Sequence, residues 1–351
     1  EDYEDIYLNV FKALNFIALD DREAALVEIR RVQIKLNILE DKYKVIAEEY
    51  NASDGAEGEL KYRESQFHSS VLAHYISLLL YRAEESWDDA RIDHEMIEEA
   101  WKTQKHLYDF PKPPLPVNIP VDDDQALVNV IAFTGMSPLK VADTIYLQTG
   151  PNIVYLAMTG QDDDYITNLV GFTFLVIPGV QAGIHFKIQF PRLVSRRSEV
   201  DRVLVKMNGV EVADIPILEK MENIARESFL LRQSLTIGKT IIRATIKNVT
   251  KEIGKHAMNQ ELSNQGAGGA VFGLLAGLAA DVAVDATENA DLRISQFFPS
   301  HARATEITVV PGTYHVTVEY WNGKTLVAEI DHGMQEFSTD GLNLVESYLL
   351  Q

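Results

Sequence analysis

Residues 110–125, FPKPPLPVNIPVDDDQ, hold five of the chain's twelve prolines. Each proline fixes its own φ and lacks the amide hydrogen, so this run can be neither a helix interior nor a central strand. It predicts a stiff extended connector, and it separates two stretches of different hydrophobic period. Residues 1–108 are expected to form a helical-repeat domain, 109–125 the proline-rich linker, and 126–351 a second domain.

Ahead of the prolines the apolar positions recur at three and four. Tyr3, Tyr7, Val10, Leu14 and Ile17 form one stripe, and Ala25, Ile29, Val32, Leu36, Leu39, Tyr43 and Ile46 form the next. A period near 3.5 is that of closely packed antiparallel helices. Asp20 with Glu23, and Ser86 with Asp89, have the spacing of capping boxes. The first hairpin should keep Glu28, Arg31 and Lys35 outside, and a second should span 67–108, with Ala90, His94, Ile97, Trp101 and Tyr108 on its buried stripe. His74 and His94 both fall on seams, where a hydrogen-bonded core histidine is expected rather than a metal pair. The likeness of DREAALVEIRRV to WDDARIDHEMIEEA suggests a repeat of helical pairs of the tetratricopeptide kind.

Beyond the prolines the period becomes two. Strands are expected at 126–133, 145–147, 153–158, 166–177 and 184–190, and a hairpin at 203–213 turns on Asn208-Gly209. Strands return at 304–310, 313–321, 325–330, 334–337 and 342–350. Between the two sets, 217–234 and 240–262 have helical spacing and lead into GAGGAVFGLLAGLAA at 266–280. There Gly269, Gly273 and Gly277 fall four apart, a ridge that lets another helix or a sheet approach closely. The expected fold is therefore α+β: antiparallel helical hairpins, then a β-sandwich-like domain with a helical insertion at about 216–290.

Function is bounded mostly by exclusion. A net charge of −20 argues against a nucleic-acid backbone as ligand. With no cysteine, disulfides, thiolate metal sites and cysteine nucleophiles are ruled out. GxxxxGK[ST], HExxH and GxSxG are all absent from the sequence. The triple aspartates at 122–124 and 162–164 lack the spacing of a calcium loop and are expected to be solvated turns. Asp291 with Arg293 is expected to be an ion pair at the exit of the insertion, Phe297-Phe298 a core pair or a partner contact, and Trp321, beside Asn322-Gly323, a strand-end residue or an aromatic contact for a glycan. No catalytic, cofactor-binding or metal residue is assigned; the candidate packing or partner contacts are Gly269, Gly273, Gly277, Asp291, Arg293 and Trp321.

Several segments together resemble a family of uncharacterised bacterial envelope lipoproteins with tetratricopeptide-like N-terminal helices. They are EDYEDIYLNVFKALNF at 1–16, DREAALVEIRR at 21–31, TENADLR at 287–293, Phe298-Pro299 and PGTYHVTV at 311–318. The resemblance implies a periplasmic or outer-membrane-associated protein whose longer precursor carries a secretory signal, a lipid-modified cysteine and further repeats ahead of Glu1. It implies a non-catalytic scaffold or accessory subunit that meets protein partners in an envelope complex, a second copy among the candidates. No cofactor or nucleic acid is expected, and membrane contact only through that lipid anchor. A carbohydrate- or peptidoglycan-binding module is the alternative.

Overall fold

The computed structural model describes residues 1–52, 65–115, 124–161, 167–176, 182–183, 185–231 and 290–351. Four helices come first: α1 (Asp2–Ala18), α2 (Arg22–Ala52), α3 (Val71–Ala83) and α4 (Trp87–Thr103). Eight strands follow: β1 (Ala126–Met136), β2 (Leu139–Gly150), β3 (Ile153–Gln161), β4 (Thr167–Val176), β5 (His185–Val194), β6 (Arg202–Met207), β7 (Val210–Asp214) and β8 (Ile217–Lys220). Residues 221–231 are helical and are termed α5. The chain closes with β9 (Pro299–Val309), β10 (Gly312–Asn322), β11 (Thr325–Phe337) and β12 (Asn343–Leu349).

The strands form three sheets, ordered β12-β1-β9-β8, β11-β10-β6-β7 and β4-β3-β2-β5. The first is mixed: β1 runs parallel to β12 and antiparallel to β9. Its inner strand β1 packs apolar residues on both faces, and the period of two decides which residue goes where. Ala126, Val128, Val130 and Ala132 share a core with Val203, Val205 and Met207 of β6 and with Val316, Val318 and Tyr320 of β10. The alternate residues Ile131 and Phe133 join Tyr3, Tyr7, Leu72 and Ile76 of the helices. This sheet is thus the middle layer, with helices on one side and the β6/β10 sheet on the other.

Expected strand positions recur in the structure, some lengthened and others trimmed by a residue, and 325–330 and 334–337 are one continuous strand, β11, rather than two. The hairpin at Asn208-Gly209 forms, with both residues at positive φ. The helix expected at 217–234 is corrected at its start. Ile217–Lys220 instead pairs antiparallel with β9 and is the edge of the middle sheet, and helix begins only at 221. Four residues are too few to show a period, and an open ladder on β9 offers them hydrogen bonds that local propensity does not. Residues 232–289 of the expected insertion, with Gly269, Gly273 and Gly277, lie outside the described residues, as do Asp122, Asp123 and Asp162–Asp164.

Smaller corrections concern caps and charges. The side chain that caps α2 belongs to Asp21, which accepts from the Ala24 amide at 3.0 Å, not to Asp20, which sits in the preceding turn at φ 57°. Ser86 precedes α4 but makes no capping bond. Glu28 is buried rather than outside, because Asn9 and Lys12 of α1 and Arg31 supply it with donors. The segment after α4 is not a bare spacer. Leu107, Tyr108 and Leu115 are buried in the helix-side core, and Phe110 packs edge-on to Trp101.

Candidate functional site

Two tyrosines on the buried stripe of α1, four residues apart, carry hydroxyls into an apolar layer. A buried phenol needs a hydrogen-bond partner. Tyr3 reaches Ser137 Oγ at 3.4 Å, and Tyr7 donates to Glu219 Oε1 at 2.6 Å. Glu219 comes from β8. A register shift between Ile217 and Glu219 breaks the regular alternation, so Leu218 joins the helix-side core while Glu219 also meets the helices.

Glu219 is fully buried and accepts from four groups. Besides Tyr7, Ser70 Oγ lies 3.0 Å from Oε1, Tyr108 Oη 2.7 Å from Oε2, and the Leu72 amide 3.2 Å from Oε2. Ser70 is the N-cap of α3 and also accepts from the Ala73 amide at 3.2 Å. The carboxylate therefore sits on the first turn of α3, where unpaired amides and the helix dipole favour an anion. Burial pushes Glu219 up, and the bonds from Tyr7, Tyr108, Leu72 and Ser70 only partly offset it. The same burial, with Glu219 adjacent, holds the Tyr7 and Tyr108 phenols well above their ordinary range.

The cluster joins α1, α3, the segment after α4, and β8. Chemically it is a lock. An acid or base must touch its substrate, and Glu219 has no exposed surface. A second joint lies further along the same interface, where Arg82 of α3 pairs with Glu306 of β9 at 2.5 Å, both side chains buried. On β9's opposite face Arg303 is buried against the β6/β10 sheet. It donates to the backbone carbonyls of Ile215 at 3.3 Å and Asp201 at 3.0 Å, and burial lowers its guanidinium to about 10.

Between α3 and α4 a serine, a histidine and an aspartate also meet. His74 Nδ1 lies 2.7 Å from Asp93 Oδ1, while Ser77 donates to Oδ2 of the same carboxylate. Both bind the aspartate and the serine does not bind the histidine, so the group lacks the nucleophile–base contact of a triad. His94 Nε2 is 2.8 Å from the Leu115 carbonyl and fastens the proline-rich segment to α4.

Of the residues singled out from the sequence, Asp291 and Arg293 form a two-bonded ion pair at 2.8 and 2.9 Å on the surface, and Arg293 holds the Asp291 carboxyl below its usual range. Trp321 is half-buried, its indole N–H bound to Glu319 Oε2 at 3.0 Å. The structure does not bring these two groups to the Glu219 cluster. Phe297 and Phe298 divide. Phe298 stacks edge-on to Tyr3 at 6.0 Å, whereas Phe297 is 81% exposed. Glu219 itself does not stand out in the sequence, because its segment reads as helix. The available signal was Tyr3 and Tyr7, whose hydroxyls required buried acceptors.

Comparison of the chain with models of known protein families, with curated proteins and with solved structures found no match.

Proposed function

We propose that this protein is a non-catalytic structural or accessory subunit of a bacterial cell-envelope assembly, working through protein–protein contacts in the periplasm or at the outer membrane. In this reading the α1–α2 and α3–α4 hairpins are tetratricopeptide-like pairs, and the two face-to-face sheets are a β-sandwich. The observation that carries it is the contrast between Glu219 and Phe297. Among the described residues, the most heavily hydrogen-bonded carboxylate is sealed between layers, while a large aromatic stands bare on the surface. Aromatic side chains are enriched among the residues that carry the energy of protein interfaces.

Crosslinking in intact bacteria, followed by identification of what co-purifies, tests it. A stoichiometric envelope protein is expected, and Phe297→Ser should weaken its recovery. Recovery of no envelope partner would overturn the proposal.

A second reading, glycan binding, has support from a different place than the sequence suggested. Tyr146 of β2 and Tyr155 of β3 are both exposed, and the register Tyr146↔Ala157 and Gln148↔Tyr155 makes them diagonal neighbours on one face. Trp321, by contrast, is half-buried with its indole N–H bound to Glu319. Binding to peptidoglycan fragments that is lost in Tyr146→Ala would favour this reading over the first.

A further inference from the structure

The helix α2 is apolar on two opposite sides. Ala25, Ile29, Val32, Leu36 and Leu39 are buried against the rest of the helical layer. Val27, Ile34, Ile38 and Val45 stand outside, between 44 and 58% exposed. At 3.6 residues per turn these four fall within about 20° of a single line that runs for about 27 Å along the helix. Their spacings of seven, four and seven are those of a coiled-coil seam, and the seam positions left between them are Arg31 and Asp41, also exposed.

This seam reads the same from either end with its charges inverted. About position 36, Val27 is the counterpart of Val45, Arg31 of Asp41, and Ile34 of Ile38. A two-fold axis at that point would bring each residue against its counterpart on another copy, the condition for a self-complementary interface. Every layer would match, valine on valine, isoleucine on isoleucine, and arginine on aspartate twice. A parallel pairing would instead set Arg31 on Arg31 and Asp41 on Asp41, which like charges oppose.

We infer that α2 is a self-association surface on which a second copy of this chain packs as an antiparallel helix pair, Arg31 of each copy facing Asp41 of the other. The inference stands on α2 and does not depend on the envelope reading.

Sedimentation of the whole chain up to roughly 100 µM tests it, a range in which seam contacts of this kind are measurable. The wild type should form a dimer. Arg31→Asp sets acid on acid and Asp41→Arg sets base on base, so each variant alone should dimerise at least about tenfold more weakly. Mixed in equal amounts, the two variants should pair with each other, and the double variant carrying both changes should regain the wild-type dimer. Arg31 also bonds the buried Glu28, so Ile34→Ser supplies a variant that leaves that bond alone; it should weaken the dimer with unchanged helicity. A wild type that stays monomeric overturns the inference. So does a dimer indifferent to all three single changes, or two weakened variants that fail to restore each other.

Discussion

Tyr7 and Glu219 lie 212 positions apart in sequence and meet through a 2.6 Å hydrogen bond between the first helix and the edge strand of the middle sheet. Ser70, Leu72 and Tyr108 complete the carboxylate's shell, so three helical-side segments depend on one side chain of β8.

Glu219→Leu should take the acceptor away from three hydroxyls and an amide in the core, Tyr108 alone keeping the Ser69 carbonyl, and a loss of about 3–5 kcal/mol in denaturant unfolding is expected. Tyr7→Phe removes one charge-assisted bond and should cost about 1.5–3 kcal/mol. Glu219→Gln should fall below Glu219→Leu, since its amide keeps one acceptor oxygen. Burial raises the Glu219 carboxyl, so the folded state binds its proton more tightly than the unfolded state does. Its contribution is therefore complete below the ordinary carboxyl range and declines as pH rises through the folded value. The Gln variant should lack that decline. Leu and Gln variants equal to wild type would refute the lock.

Arg82 and Glu306 form the second joint, and one buried charge without the other is worse than neither. Arg82→Met alone should lose about 3–5 kcal/mol. Arg82→Met with Glu306→Leu should recover most of that. A double variant as unstable as the sum of the singles would show that the pair acts through something other than its charges.

His301 on β9 is partly buried beside Arg303 and Lys220, and its pKa is lowered from 6.5 to about 4, although Glu222 lies 3.9 Å from Nε2. Burial and the two cations outweigh that distant carboxylate. The unfolded chain therefore takes up a proton near 6.5 while the folded chain does not. Stability is complete above that value and falls as pH drops toward 4, by about 3 kcal/mol at the limit. His301→Gln should flatten the wild-type slope between pH 7 and 5. An unchanged slope would mean that other groups carry it.

Gly135 has φ +65°, and a Cβ there would lie 3.0 Å from the Cβ atoms of Ser198 and Ser300. Gly323, at φ +58°, has open space around the same position. Gly135→Ala should thus lose about 1–3 kcal/mol to strain and crowding together, and clearly more than Gly323→Ala. Equal melting temperatures for the two variants would contradict the crowding.

Among the described residues, element type was legible in the sequence wherever a period ran long enough to be counted. The 3.5-residue stripes of α1 and α2 and the strict alternation of Tyr314, Val316 and Val318 follow from which face must leave water. The positive-φ turn at Asn208-Gly209 is likewise local, because few residue pairs adopt it. The hydrogen-bonded state of His74 and His94 was also legible, since both fall on buried seams.

Tertiary structure decided what local signals cannot. Whether Ile217–Lys220 is helix or strand depended on the free ladder of β9, and that choice alone places Glu219 at the interface. Glu28 went inside because Asn9 and Lys12 arrive from another helix with donors. Phe297 and Phe298 are adjacent and chemically identical, yet one stacks on Tyr3 and the other meets solvent. Hydrophobic period fixes a face and long-range pairing fixes what it faces, because an ion, a ladder or a ring contact needs two segments and a sequence window holds one.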